Sequence, residues 1–148
     1  MVMTAPSVPD APVRFPTKIA VLLRDDLEPW QGLNVTAFLS AAVSAAVPEI
    51  LGEPYADADG TPYLATFGQP VLVLTGDRDT LRAARLRAVG RGTPVAVFTA
   101  DMFATGNDRD NRAVVAAASG DELDLVGIAV HGPRNGVDKI VKGARMHP

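Results

Sequence analysis

Hydrophobic and polar positions alternate along this chain in long blocks, and the blocks predict the elements. Lys18 to Arg24 is an almost unbroken apolar run, which predicts a strand covered on both faces and therefore central in its sheet. The stretch from about Trp30 to Val47 reads as a long helix opened by Pro29 and closed by Pro48. It carries no charged side chain between those prolines, which predicts a helix buried nearly all round. "LGEPYADADGTPYLATF" places turn residues Asp57 to Gly60 between two short extended pieces, as a hairpin or ordered loop would.

Further on, Val71 to Thr75 reads as a second buried strand and Pro94 to Thr99 as a third strand. Between them a helix runs from Gly76-Asp77 to about Val89, with Arg78, Arg82, Arg85 and Arg87 on its solvated side. Asn107 or Asp108 caps another helix to about Ala118. Leu125 to Val130 is a fourth strand, and Gly136 to Lys142 forms a short helix or turn. Strands alternating with helices predict an α/β domain of two or three layers, with a mostly parallel or mixed four-stranded sheet. The first sixteen residues contain four prolines and no apolar stretch after a basic start, so residues 1–16 are expected to form an extended arm before a single domain at 17–148.

Composition narrows the chemistry. A chain of 148 residues can bury one substantial core. It has no cysteine, which removes disulfides and thiolate catalysis and fits a reducing cytoplasm. Net charge is −3, giving no bulk attraction for nucleic acid. The arginines from Arg78 to Arg91 are interleaved with Asp77 and Asp79 and lack stacking aromatics, so tRNA association is expected to be weak and salt-dependent. The uncharged run from Pro29 to Pro48 approaches a bilayer span, but Gln31, Asn34, Thr36, Ser40 and Ser44 interrupt it and no basic cluster flanks it, so it reads as no membrane helix.

The turn "LRDDLEPWQGLN", Leu23 to Asn34, holds the densest candidate chemistry. It would lie where the first strand's carboxyl end feeds a helix, the edge where open α/β sheets hold ligands. The loop "TADMFATGND" after the third strand would reach the same edge if the two strands are neighbours. Asp25, Asp26 and Glu28 precede a helix N-terminus, where carboxylates satisfy free N–H groups, so capping accounts for at least one of them. As a trio they resemble magnesium ligands, but a cap region explains them as well, and no metal set is assigned. Trp30 is either a lid on the sheet, its indole N–H bonded to water, or a binding surface. Asn34, an amide in the first turn of an apolar helix, needs a partner from the protein or from a ligand. Thr36, Ser40 and Ser44 share one helix face and read as packing residues bonded back to the preceding turn. Nucleophile-elbow, phosphate-loop and dinucleotide glycine patterns are absent, and no cofactor is implied.

"RDDLEPWQGLNVTAFLSAA" resembles the first strand-to-helix motif of type II peptidyl-tRNA hydrolases through Arg24, Asp26, Leu27 and Gly32. "GIAVHGPRNGVDKIVKGARMHP" is similar to their closing pattern through Gly132, Pro133, Val137, Asp138, Ile140 and Gly143. A closer resemblance, carried by "RDDL", "WQGLNVTAF", "GQPVLV", "MFATGND", "DLVGIAVHG" and "VDKIVKG", is to an uncharacterised bacterial family known as domain of unknown function two-thousand, covering nearly all of Thr17 to Pro148.

Together these resemblances imply a type II peptidyl-tRNA hydrolase-like fold and suggest a homodimer. The catalytic positions depart from the hydrolases: Leu33 stands where they keep a lysine, Ala37 where they keep glutamine and Ser40 where they keep histidine. Leucine supplies neither charge nor donors, so peptidyl-tRNA hydrolysis is not expected. Two readings remain. One is a binding or regulatory module for a small molecule or peptide, lined by Asp26, Trp30, Gln31, Asn34, Phe103 and Thr105. The other is a hydrolase of an ester or amide, with Asp26 or Asp101 as base and Thr105 and Asn34 polarising a carbonyl.

Overall fold

A computed structural model describes residues 13–148. Most of the predicted N-terminal arm, residues 1–12, lies outside the described residues. Of its remainder, the Phe15 carbonyl accepts from Arg134 Nη1 at 3.3 Å and the Pro16 carbonyl from the Arg134 backbone N–H at 3.2 Å.

The elements follow in the order β1 (Thr17–Arg24), α1 (Pro29–Ala46), a short hairpin of β2 (Tyr55–Ala56) and β3 (Pro62–Tyr63), β4 (Val71–Gly76), α2 (Arg78–Gly90), β5 (Val95–Thr99), a 3-10 turn over Ala100–Ala104, α3 (Asp108–Ala116), β6 (Leu125–Pro133), α4 (Arg134–Ile140) and β7 (Arg145–Met146). Five strands form one sheet in the order β5-β6-β1-β4-β7, while β2 and β3 pair separately.

One expectation changes. The sheet has five strands rather than four, because the last two-residue strand, β7, pairs with β4. Of the two sheet types expected, mostly parallel or mixed, it is the mixed one: β1 and β4 form the parallel pair, whereas β6 runs antiparallel to both β1 and β5. The continuous apolar run of β1 does mark a central strand, with Ile19 to Leu23 buried on both faces.

Alternation along β1 divides the core. Ile19, Val21 and Leu23 face Val35, Leu39 and Val43 of α1, with Ile50 and Phe98 beside them. Ala20 and Leu22 face Leu81, Ala84 and Ala88 of α2 and Val137 and Ile140 of α4. The domain is therefore three-layered, with α1 packed on one face and α2 and α4 on the other. A Cβ on Gly127 would stand 2.5 Å from Val35 Cγ1 and 3.1 Å from Leu39 Cδ1, so α1 rests on the sheet where β6 offers no side chain.

The burial of α1 overturns the expectation of a wholly buried helix. Only Val35, Leu39 and Val43 are buried, one residue per turn. Trp30 and Phe38 are half exposed and Leu33 is 74% exposed. A helix without charge thus turns apolar surface outward, into the two grooves that flank it, one of which separates it from α3. Thr36 Oγ1 donates to the Gly32 carbonyl at 2.7 Å and Ser44 Oγ to the Ala41 carbonyl at 3.0 Å, the back-bonding that small polar residues adopt on a helix.

Candidate functional site

The β1, β4 and β5 strands all end at one edge of the sheet, since β6 runs opposite to both β1 and β5. β1 and β5 are separated by β6, yet their following segments still meet. Trp30, at the start of α1, lies edge-on to Phe103 of the 3-10 turn with ring centroids 5.8 Å apart. Phe103 leans on Phe98 of β5 at 5.1 Å, and Phe98 meets Phe38 edge-to-face at 5.7 Å. All four rings line a groove of about 910 Å³ between α1, β5 and α3. That size suits a small ligand or a few peptide residues.

Polar groups in the groove are mostly neutral. Asn34 opens into it from α1, and Thr105, Asn107 and Asn111 line the opposite wall. The Thr105 hydroxyl lies within hydrogen-bonding reach of the Met102 carbonyl at 3.0 Å and of Asn111 Oδ1. Asn107 caps α3, its Oδ1 accepting from the Asp110 backbone N–H at 2.8 Å. The ionised groups on the lining, Asp108 and Arg112, form an ion pair one turn apart on α3. Asn34 is exposed rather than enclosed by the helix's neighbours, so water can satisfy its amide; it forms no side-chain hydrogen bond among the described residues, and an occupant of the groove would meet it.

Four of the six residues read as ligand-binding, Trp30, Asn34, Phe103 and Thr105, therefore share one wall-to-wall space. Asp26 and Gln31 lie outside it. Gln31 Oε1 accepts from the Glu28 backbone N–H at 2.9 Å and secures the helix start. Asp26 accepts from Arg24 Nε at 2.6 Å. Asp101, on the 3-10 turn, is exposed and does not line the groove. Asn111 and Phe38 were not singled out from sequence. Helical spacing places Phe38 one turn beyond Asn34 and could have found it, whereas Asn111 carries no local signal.

The three acids of the opening turn diverge instead of converging. Asp25 faces Arg145 at 3.6 Å, Asp26 binds Arg24, and Glu28 accepts the Trp30 indole N–H at 3.0 Å. The indole partner is thus a carboxylate, not water, because Glu28 is the N-cap and lies beside the ring. Arg24 is the hub of this turn. Its Nη1 donates to Asp124 at 2.7 Å and to the Leu125 carbonyl at 3.3 Å, and Asp124 also holds Arg78 at 2.7 Å. Burial alone would lower the Arg24 guanidinium, but the bonds to Asp26 and Asp124 outweigh it and raise it above its ordinary value.

A second groove, of about 660 Å³, lies on the other flank of α1. Its floor includes Leu23, Val73 and Thr75, and Leu33, Arg145 and His147 stand among its walls. Thr75 Oγ1 is occupied, donating to the Leu23 carbonyl at 3.1 Å.

The sequence pattern of DUF2000, described as a protein of unknown function, matches residues 17–148. The chain belongs to the DUF2000 family. A solved structure of a protein of unknown function from Agrobacterium tumefaciens strain C58 is 45% identical to it, with a TM-score of 0.89 over 91% of this chain and all of that one. No curated protein matches the chain. The DUF2000 domain thus contains both grooves, and no helix among its described residues is long and apolar enough to cross a membrane.

Proposed function

We propose that this DUF2000 protein is a binding or regulatory module, with the Trp30–Phe103 groove holding a neutral ligand, a small molecule or peptide, that combines an aromatic or aliphatic body with amide-like hydrogen-bonding groups. The observation that carries this reading is the pairing of four aromatic rings with uncharged amides in one groove whose lining acid and base neutralise each other. Such a lining favours orientation and burial of a neutral molecule over stabilisation of developing charge.

Hydrolysis of an ester or amide has less support. A general base must reach the proton it removes, and the Asp26 carboxylate is engaged by Arg24 outside the groove. Thr105 is engaged by Met102 and Asn111. A relationship to the type II peptidyl-tRNA hydrolase fold is part of the same proposal, with the activity lost: Leu33, at the hydrolases' lysine position, is exposed on the other flank of α1. The homodimer suggested by that resemblance and a cytoplasmic setting, which the absence of cysteine fits, are proposed with it.

The test is calorimetric titration of the purified protein with neutral aromatic amides, beside an assay for release of peptide from peptidyl-tRNA. Binding that falls about tenfold on Asn34→Ala without loss of stability, and no peptide release, is expected. Turnover at enzyme-like rates, lost on Asn34→Ala, would replace the binding reading with the hydrolytic one.

A further inference from the structure

The two edges of the sheet are defended differently. β7 is two residues long and carries Arg145, the short, charged kind of edge that resists pairing. β5 at the other edge is Val-Ala-Val-Phe-Thr, without charge, proline or bulged residue of its own.

The register shows which backbone groups of β5 are free. Asp25 N–H donates to the Gly76 carbonyl, so odd-numbered residues of β1 point to β4 and even-numbered ones to β6. Leu22 stands opposite Ile128, and Gly127 and Ala129 then point to β5, where they meet Phe98 and Ala96. Val95 and Val97 are left facing away from the sheet. Beyond them, the outward Thr99 N–H meets only the Met102 sulfur at 3.3 Å. The Val97 side chain packs in the opposite core cluster, so what this residue contributes to the groove wall is its backbone edge.

Across the gap stands α3, a strongly amphipathic helix that buries none of its residues, with Asn111, Val115 and Ala116 on the groove lining. An edge strand with unpaired N–H and C=O groups and a helix held off from it make a slot for one extended chain. Electrostatic complementarity selects the kind of chain. The slot offers alternating backbone donors and acceptors, and its lining ion pair is self-neutralised, so it suits a main chain bearing uncharged side chains.

We propose that the groove's occupant is an extended peptide segment, added as a sixth strand along β5, with alternate apolar side chains entering the space between Phe98, Phe103 and α3. This rests on the binding reading above and names its ligand class.

The probe is N-acetyl-Thr-Phe-Thr-Phe-Thr amide, compared with N-acetyl-phenylalaninamide, which can fill the groove without pairing to a strand. The pentapeptide is expected to bind at least tenfold more tightly. N-methylation of one alternating set of its amides should cost at least tenfold, and of the other set less than threefold, because only one edge of the peptide meets β5. In amide hydrogen exchange, Val95 and Val97 should slow at least tenfold on saturation, with Ala96 and Phe98 unchanged.

If the single-residue amide binds while the pentapeptide gains nothing, or methylation shows no alternation, strand addition is overturned and the binding reading stands. If neither probe binds, both are overturned. Concentration-dependent protection of Val97 without peptide would assign the edge to a second copy of the chain and overturn the peptide proposal.

Discussion

Replacing Arg24 with Met tests whether the crowded turn after β1 is a structural clasp. The substitution keeps the aliphatic stem and removes a guanidinium that is 11% exposed and holds Asp26, Asp124 and the Leu125 carbonyl. Hydrogen bonds to charged groups contribute about 1.5–3 kcal/mol when shielded. The Asp26 carboxylate is 60% exposed, so its share is at the surface value of about 0–1 kcal/mol. Asp124 keeps Arg78 as a partner, and no carboxylate is left stranded. The expected loss is about 2–3 kcal/mol, dominated by the Asp124 and Leu125 bonds. With a urea slope of about 1–3 kcal/mol/M, the unfolding midpoint should fall by roughly 1 M. Asp26→Asn, measured beside it, should cost less than about 1 kcal/mol. A loss below about 0.5 kcal/mol for Arg24→Met would refute the clasp and return Asp26 to consideration as a working carboxylate, while an equal loss for Asp26→Asn would refute the dominance of the Asp124 and Leu125 bonds.

Gly127→Ala should destabilise by about 1–3 kcal/mol, read by chemical denaturation, since the new Cβ drives α1 off the sheet at Val35. The hairpin gives a pH prediction: the Tyr63 hydroxyl donates to Asp57 at 2.7 Å, and with the Thr61 backbone bond this holds the Asp57 carboxyl below its ordinary value. A lowered carboxyl contributes stability above its unfolded pKa of about 3.9, and that contribution disappears as pH falls through the folded value. In an NMR titration, Tyr63→Phe should therefore raise the Asp57 midpoint toward 3.9, and an unchanged midpoint would contradict the assigned bond.

The legible parts of the fold were those set by local chemistry. The apolar run of β1, the proline boundaries of α1 and the turn at Asp57 to Gly60 all appear in place. Asn107 caps α3 through the Asp110 N–H, and Asp77 caps α2 by accepting from Thr80, whose hydroxyl and N–H hold that carboxyl below its ordinary value. Strand direction was less legible, because an antiparallel β6 buried on both faces has the same continuous apolar pattern as a parallel strand.

Burial of α1 was misread for a related reason. Absence of charge measures how a helix could be covered, while the one-residue-per-turn contact of Val35, Leu39 and Val43 depends on what the sheet face offers. In the groove, Trp30 and Asn34 could be picked out as residues with unsettled partners, but their meeting with Phe103 and Asn111 depends on β6 separating two strands that run the same way.

Trp30 is the chain's one tryptophan and stands in the groove wall, so its emission reports directly on occupancy. The decisive measurement is its fluorescence, excited where phenylalanine does not absorb, during titration with N-acetyl-phenylalaninamide. At about 0.3 kcal/mol per heavy atom, such a fragment should bind with a dissociation constant on the order of 1 mM. A saturable change in Trp30 emission is expected near that concentration, weakened about tenfold by Asn34→Ala. A linear, unsaturated response in the wild-type protein, or saturation unchanged by Asn34→Ala, would contradict the claim that this groove is the binding site.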